Sequence, residues 1–318
     1  MRKILTVKEL ITILLDYNMD ALVYTNANGV PTGISLPNVC YGGGGEGETK
    51  KDCKEVIFDI QDEENEYITD ALEQFVDPYN SYAYVDLGLT SGTKWAKMNV
   101  GATSETDAGL YFAWGETKGY TASQVGTGDG QKAFSWSDYT LTEDSGSTMS
   151  KYNASDNKTH LELTDDAAAV NMGGDWHMPN RAQCLELFKE TKNGFVTNAG
   201  AFTQYAWSDS NGYSSPTSTT ATISGWNTAG YFFFKNTYTS VTDAITAEDY
   251  LFIPAAGGCG DGRVLDVGFL GSVWASALLS EGVEYAWDFG FGSDEAGVGY
   301  IYRCGGRSVR GVIGNIDK

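Results

Sequence analysis

The stretch that most constrains the fold is the C-terminal run 251–312, whose two ends are apolar motifs and whose middle has no regular pattern. It opens with Leu-Phe-Ile-Pro-Ala-Ala-Gly at 251–257 and closes with Arg-Ser-Val-Arg-Gly-Val at 307–312. No hydrophobic period of about two or about 3.6 residues continues between these motifs, so neither one amphipathic strand nor one amphipathic helix is predicted. Packing against a core therefore does not account for the residues in the middle of the run.

The composition of the run is also unusual. Asn occurs regularly up to Asn236 and then not again until Asn315, and Lys is absent between Lys235 and Lys318. Small, charged and apolar residues are scattered through the middle instead. A Gly-rich loop region that lacks Asn by chance is the simplest alternative, and composition alone leaves it open.

The motifs of the run resemble the variable region of proteins that are diversified by retroelements. The matching residues are Phe252-Ile253-Pro254-Ala255-Ala256-Gly257, Val267-Gly268, Gly271, Trp274, Ser276, Tyr285, Phe289 and Ser308-Val309-Arg310. Proteins of that family carry a C-type-lectin fold of the formylglycine-generating-enzyme subtype and are common in gut Bacteroidetes and their phages. The resemblance implies an α+β fold class, with a small α/β domain preceding the C-type-lectin-like domain.

The resemblance also implies which positions vary. In that family template adenines are randomised during reverse transcription, and Asn codons, the main targets, cannot become Lys, Met, Gln, Glu or Trp. The unreachable residues of the run would then be invariant scaffold, namely Trp274, Glu281, Glu284, Trp287 and Glu295. The implied ligand-binding positions are Cys259, Asp261, Arg263, Leu265, Phe269, Leu270, Ser272, Val273, Ala275, Ala277, Leu278, Leu279, Asp288, Tyr300, Ile301, Tyr302, Arg303 and Cys304.

A binding role makes a prediction about geometry. Most of the variable side chains should share one contiguous face, with Trp274, Phe289, Val309 and Val312 buried beneath it. Exposed aromatic and aliphatic side chains would supply contact energy, and arginines at positions 263 and 303 would add specificity. The implied function is hypervariable ligand binding for receptor recognition, by a protein displayed on a phage virion or a cell surface.

Length and charge set further limits. A chain of 318 residues favours one large and one small domain, which we place at 79–318 and 1–78. The hydrophobic share of 42% and the aromatic share of 13% are sufficient for a real core. A net charge of -21 argues against nucleic acid as a partner, because binding a phosphate backbone needs a basic face.

Cysteines and termini bear on cofactors and localisation. The five cysteines form no CxxC pair, so neither a disulfide framework nor a zinc knuckle is predicted, and we expect no metal and no cofactor. Lys8 and Glu9 interrupt any apolar signal segment, and no apolar run approaches the length of a membrane span. We therefore expect cytoplasmic synthesis without a signal peptide, no membrane insertion, and display through a carrier.

The N-terminal part predicts a small α/β domain. Thr6-Val7-Lys8-Glu9 is typical of a capping box and predicts a helix up to about Tyr17. Strands are predicted at 21–24 and 56–59 and a short helix at 68–75, with a Gly-rich loop at 42–48. Nothing in this part indicates chemistry, so we interpret it as an adaptor or an oligomerisation unit that allows a homo-oligomer.

The second domain begins with a recognisable hairpin. Its strands are predicted at 85–89 and 92–96, around a turn at Thr90-Ser91. Residues 118–160 are rich in Ser, Thr, Gly and Asp and predict a long irregular insertion. Further predictions are a helix capped by Thr164 and ended by Gly173, a second helix capped by Asn180 with Gln183, strands at 205–208, 231–234 and 250–253, and a loop at 214–222.

Enzymatic alternatives are weaker. Formylglycine-generating enzymes bind copper through two C-terminal cysteines that are close in sequence, whereas Cys259 and Cys304 are far apart, and neither His160 nor His177 is nearby. We expect Glu116 and His177 to be structural and predict no catalytic residue. A copper-dependent oxidase and a structural virion or surface protein remain the alternatives, and the expected partner is an unknown protein or glycan on a bacterial surface.

Overall fold

A computed structural model describes residues 82–146, 148–210 and 212–314, together with Asn80 and the backbone of three N-terminal strands. The chain divides into two units, Met1–Val76 and Asp77–Lys318. Each unit is described by itself.

The first unit contains a small sheet. Its strands are β1 (Leu22–Thr25), β2 (Cys40–Tyr41) and β3 (Glu55–Phe58), in the order β1-β3-β2. Strands β1 and β3 are parallel, whereas β2 pairs antiparallel with β3. The strands predicted at 21–24 and 56–59 are confirmed to within one residue. The predicted helices and the Gly-rich loop lie outside the described residues.

The second unit is mixed α and β, mostly β, and is organised around a curled sheet. In chain order its strands are β4 (Tyr84–Asp86), β5 (Lys94–Ala96), β6 (Tyr111–Phe112), β7 (Thr191–Val196), β8 (Ala201–Ser208), β9 (Tyr213–Thr222), β10 (Gly230–Lys235), β11 (Tyr250–Pro254), β12 (Gly258–Gly260), β13 (Arg263–Leu265), β14 (Gly271–Leu278), β15 (Tyr285–Phe291), β16 (Ala296–Tyr302), β17 (Arg307–Ser308) and β18 (Val312–Ile313). Ten of them form one sheet in the order β11-β10-β7-β8-β9-β16-β15-β14-β17-β6.

The two ends of this unit lie together in a separate sheet of three strands, β18-β5-β4. Strand β18 pairs antiparallel with β5, so that Val312 lies opposite Trp95. The predicted N-terminal hairpin is confirmed, because β4 pairs with β5 and the Gly92 amide donates to the Leu89 carbonyl at 2.9 Å. The last strand of this unit, β18, therefore lies in the same sheet as its first two strands, β4 and β5.

Three α-helices accompany the strands in the described residues: α1 (Ala167–Met172), α2 (Arg181–Glu190) and α3 (Val241–Thr246). Helix α2 begins with the predicted capping box, in which Asn180 and Gln183 exchange side-chain to backbone hydrogen bonds of 2.9 Å. The predicted cap of α1 is wrong. Asp166 caps it rather than Thr164, because the Asp166 carboxylate accepts from the amides of both Ala168 and Ala169 at 2.9 Å.

One predicted loop is a strand. Residues 214–222 belong to β9, which pairs with β8 from Ser208↔Tyr213 to Ala201↔Thr222. Ser and Thr alternate along it with mostly exposed side chains, and β-branched Thr suits an exposed strand. The polar composition therefore indicates a solvated sheet face. The predicted insertion at 118–160 is irregular apart from a short 3-10 helix at Ala122–Gln124.

The four residues predicted to form the frame are buried. Trp274, Phe289, Val309 and Val312 are each 0% exposed. Trp274 also donates from Nε1 to the Phe112 carbonyl at 2.8 Å, and Phe289 packs edge-on against Trp95 with ring centres 6.0 Å apart. Strands β14 and β15 in the middle of the run, and the C-terminal end of the run, are therefore anchored in the core.

Two polar residues for which we predicted a structural role are part of the interior. Glu116 forms a buried salt bridge with Lys132, at 2.8 Å between Oε2 and Nζ. His177 is buried, with Nδ1 lying 2.9 Å from the Met178 carbonyl and its backbone paired with Val312. The Glu116 side chain thus joins separate segments, whereas at His177 the backbone does so.

Candidate functional site

A short ribbon outside the main sheet lies at the start of the run, and its tip contacts the insertion, where the Gly262 amide donates to Ala133 O at 2.7 Å. Strands β12 and β13 pair antiparallel and are joined by Asp261 and Gly262, with φ values of 49° and 74°. Two positive φ values in a two-residue connection are typical of the type I′ turns that match strand twist. The Asp-Gly pair is a strong hairpin signal, and sequence reasoning missed it.

The base of this ribbon is closed by backbone hydrogen bonds. The Gly257 amide donates to Leu270 O at 2.8 Å, and the Gly268 amide donates to Ala255 O at 2.7 Å. Gly257 has a φ of 67°, and a Cβ there would lie 1.9 Å from Leu265 O, so only glycine fits. Residues 258–270, which we call the projecting loop, are therefore held at both ends.

A groove of about 960 Å³ lies beside the projecting loop. Its floor is formed by the start of β14 together with β15 and β16, where Ser272 lies opposite Gly290 and Gly290 lies opposite Gly297. Asp288 lies on the same face opposite Gly299. Because glycines in strand interiors often mark places where a ligand or another backbone approaches closely, this bare floor indicates a contact surface.

Asp288 is the buried charge on the floor. Its carboxyl group is 8% exposed and accepts a hydrogen bond from the Ser272 hydroxyl at 2.6 Å. Burial raises the pKa of this carboxyl group above its usual range. The Arg307 guanidinium partly offsets that rise electrostatically, but within the described part of the chain it forms no salt bridge with Asp288 and donates its hydrogen bonds to Gly306 O at 2.7 Å and Cys259 O at 3.3 Å.

The projecting loop carries exposed apolar side chains, two of which, Leu265 and Leu270, line the groove. Phe269 is 74% exposed, and Leu265, Val267 and Leu270 are exposed beside it in the projecting loop. Of the eleven large apolar side chains exposed in the described residues, these four lie within six consecutive positions. Exposed apolar clusters of this kind mark interaction sites more often than chance surface residues do.

A row of aromatic rings covers the other face of β15 and β16. Tyr285 stacks on Tyr302 with ring centres 4.5 Å apart, and Tyr300 packs edge-on against both Tyr285 and Trp287. Arg181 of helix α2 lies over the Trp287 ring at 4.3 Å. Since alternate residues of a strand face opposite sides, the tyrosine rings at 300 and 302 lie apart from the floor that carries Asp288.

The predicted binding positions therefore divide into several groups. Seven are exposed: Asp261, Arg263, Leu265, Phe269, Leu270, Tyr300 and Tyr302. Three are half-buried: Ser272, Leu279 and Ile301. Eight are buried: Cys259, Val273, Ala275, Ala277, Leu278, Asp288, Arg303 and Cys304. Cys259 and Asp288 still line the groove, so the correction concerns the other six buried positions.

Strand β14 explains four of these corrections. It pairs with β15 on one edge and with β17 on the other, and both of its faces are covered by core residues. Val273 and Ala275 pack in one core cluster and Leu278 in another, while Ala277 is 5% exposed. A central strand that is covered on both faces has apolar residues at successive positions. The sequence of β14 therefore shows no alternation of apolar and polar residues.

Arg303 is a structural residue rather than a source of specificity. It is 0% exposed and donates from Nε to the Tyr139 hydroxyl at 2.9 Å. Its other nitrogens donate to the carbonyls of Tyr152, Val283 and Lys151 at 3.0–3.1 Å. The guanidinium group therefore fastens the insertion at 118–160 to the end of the sheet.

The two cysteines considered for metal chemistry are buried and free. Burial raises the pKa of both Cys259 and Cys304 to about 12, so their thiols are protonated at neutral pH. Protonated thiols are poor nucleophiles. Across the described residues, no three His, Cys, Asp or Glu side chains are grouped so that they could hold a metal ion.

None of the helices in the described residues is long and apolar enough to cross a membrane. No family model, curated protein or solved structure matches this chain.

Proposed function

We propose that the second unit is a hypervariable ligand-binding domain with a C-type-lectin-like fold of the formylglycine-generating-enzyme subtype. In this proposal a retroelement diversifies its surface positions, and the protein is displayed on a phage virion or a cell surface to recognise a receptor. The first unit would serve as the adaptor or the oligomerisation unit.

One observation carries the proposal. Residues of the same short run separate into a buried frame, with Trp274 and Phe289 inaccessible, and a projecting loop on which Phe269 is 74% exposed. Large apolar side chains at such exposure are unfavourable in water unless a partner covers them. A loop held at its base by backbone bonds tolerates changes at its tip without loss of the frame.

The chemistry of the site favours binding over catalysis. The thiols of Cys259 and Cys304 are protonated at neutral pH, with pKa values raised to about 12 by burial. Leu265 and Leu270 are exposed at the groove, as in surfaces where aromatic and aliphatic anchors carry most of the binding energy. A binding module therefore accounts for more of the site than the copper-dependent oxidase does.

Two experiments test this proposal. Sequencing the DNA beside the gene should find a near-copy of the region encoding 251–312 that differs where the template has adenine, with a reverse transcriptase gene nearby. Second, Phe269→Ser combined with Leu270→Ser should abolish adhesion of the purified chain to gut Bacteroidetes cells that bind the parent. Leu163→Ser is the control, because Leu163 is an exposed side chain outside the run. Equal adhesion of all variants would contradict the proposal.

A further inference from the structure

The groove beside the projecting loop has a property that a generic binding surface lacks, which is an unpaired buried carboxylate below a strand edge. Resting on the proposed function, we propose that the groove binds an extended protein segment that pairs along β16 and places a lysine or arginine side chain against Asp288.

Strand β16 has an open edge along the groove. It pairs with β15 along its whole length, but it pairs with β9 only at Ala296 and Gly297. Among the described residues, 298–302 has no strand partner on that second edge. Residues 296–301 also line the groove. An unpaired edge of this kind offers backbone donors and acceptors to an added extended segment.

The floor leaves Asp288 accessible from this edge. Gly299 lies opposite Asp288, and a Cβ at that position would stand 3.4 Å from Asp288 Oδ1. With glycine there, nothing from position 299 covers that oxygen. The other oxygen, Oδ2, accepts from the Ser272 hydroxyl at 2.6 Å. A carboxylate can accept several hydrogen bonds, so Asp288 retains capacity for a ligand.

No cationic side chain of the described residues contacts the Asp288 carboxylate directly. A buried carboxylate is unfavourable unless it is paired and hydrogen-bonded. The hydrogen bond from the Ser272 hydroxyl offsets only a small part of its desolvation cost. The Arg307 guanidinium attracts this carboxylate electrostatically, but it forms no salt bridge with Asp288 and donates its hydrogen bonds to Gly306 O and Cys259 O. A cationic side chain from a partner would supply the missing charge.

The charge of the groove selects a cation over an anion. Four acidic residues line it, namely Asp266, Asp288, Asp294 and Glu295, against one basic residue, Arg307. The chain as a whole carries a net charge of -21, so its long-range field also attracts cations. Phosphate, sulfate and carboxylate ligands are therefore disfavoured.

The composition of the groove favours a protein segment over a glycan. Polar side chains line the walls of the groove, but its floor supplies Ser272 and Asp288 and is otherwise glycine at 290, 297 and 299. The unpaired edge of β16 beside this floor presents backbone groups that an extended chain can pair with and a glycan cannot. Leu265 and Leu270 line the rim and match apolar side chains. Alternating side chains of an extended peptide can place a cation on the floor and apolar groups at the rim.

The test selects peptides from a random display library on the immobilised full chain and measures them by fluorescence anisotropy. We expect the enriched peptides to carry Lys or Arg flanked by apolar residues, and their affinity to fall as salt is raised. Asp288→Asn should weaken binding by about tenfold or more, since hydrogen bonds to charged groups are the strong ones. Gly299→Val should weaken it similarly by covering Oδ1, while Leu163→Ser should bind like the parent.

Several outcomes would overturn this inference. They are the absence of enrichment, enrichment of neutral or acidic peptides, equal binding by Asp288→Asn, and Asp288-dependent binding of neutral oligosaccharides on a glycan array. Thermal melts of each variant separate loss of binding from loss of folding. If Phe269→Ser with Leu270→Ser abolishes cell adhesion while Asp288→Asn leaves it intact, the inference fails and the proposed function stands.

Discussion

The guanidinium of Arg303 lies 4.8 Å from the centre of the Trp114 ring, with both side chains fully buried. Within the described residues Arg303 has no carboxylate partner in a salt bridge, and its charge is met by the Tyr139 hydroxyl, backbone carbonyls and the aromatic face. A buried guanidinium satisfied in this way depends on its planar geometry. The end of β16 is thereby joined to the insertion at 118–160.

Replacing this arginine should destabilise the fold. Arg303→Lys cannot reach the same set of acceptors, and we expect a loss of about 3 kcal/mol in the free energy of unfolding, since buried polar groups are left unpaired. Chemical denaturation measures it. Arg263→Lys, at an exposed position, is the matched control and should change stability by less than about 0.5 kcal/mol. Equal stability of the two variants would show that position 303 belongs to the surface.

Removing the buried charge of Asp288 should raise stability. The folded-state pKa of this carboxyl group lies above its unfolded value, so the folded state binds more protons between the two values and loses stability as pH rises through that window. Asp288→Asn does not undergo this loss, because an amide does not titrate. The amide oxygen can still accept a hydrogen bond from the Ser272 hydroxyl. The variant should therefore be more stable than the parent at neutral pH.

The pH dependence of that difference is the check. As pH falls below the folded-state pKa the parent carboxyl becomes neutral, and the advantage of Asp288→Asn should shrink towards zero. Denaturant unfolding of both proteins at several pH values measures this. A destabilised Asn variant at neutral pH, or a difference that grows on acidification, would contradict this account of Asp288.

The base of the projecting loop should tolerate no side chain. Gly257→Ala would place a Cβ 1.9 Å from Leu265 O at a positive φ, so the loop must shift and stability should fall by about 1–3 kcal/mol. At Gly260 a Cβ meets nothing within 4 Å, which makes Gly260→Ala the matched control. Thermal melts compare the two. Similar melting temperatures would mean that the loop is not held at its base.

The buried thiols should resist alkylation. Because burial raises the pKa of Cys259 and Cys304 to about 12, iodoacetamide at neutral pH should modify them only after unfolding. Peptide mapping by mass spectrometry, with and without denaturant, measures this. Rapid modification of either residue in the folded chain would reopen the possibility of thiol chemistry at this site.

The sequence predicted local structure best where a chemical signal is short and specific. The capping box at Asn180, the hairpin around Thr90-Ser91 and the aromatic strands near 205, 231 and 250 are all present. Propensity misled at β9, where a Ser- and Thr-rich strand is stabilised by pairing with β8 rather than by burial. Tertiary context overrode composition there.

The site was only partly visible in the sequence. Phe269 and Leu270 were predicted to be exposed and they are. Val273 and Arg303 were assigned to the same surface. Val273 lies in a strand that is covered on both faces, and the Arg303 guanidinium is buried among backbone carbonyls to which it donates hydrogen bonds. The set of residues that an Asn codon can become says which substitutions occur at a position. It carries no information on whether the side chain at that position is buried. Burial of Arg303 depends on contacts more than a hundred positions away.

The most direct test of the central claim compares the projecting loop with the frame. One variant leaves Asp261 in place, because its φ of 49° strains most other residues, and replaces four exposed predicted positions of the loop together with other residues reachable from an Asn codon: Arg263, Leu265, Phe269 and Leu270. The other variant is Trp274→Ala, which leaves the loop unchanged and removes a fully buried side chain.

Thermal melts and cell adhesion of both variants are the measurement. The account predicts that the loop variant melts close to the parent, because exposed substitutions change stability by about 0.5 kcal/mol or less, and no longer adheres. Trp274→Ala should lose about 3–5 kcal/mol of stability. A loop variant that unfolds, beside a Trp274→Ala protein that melts like the parent, would contradict the division into a buried frame and a variable binding surface.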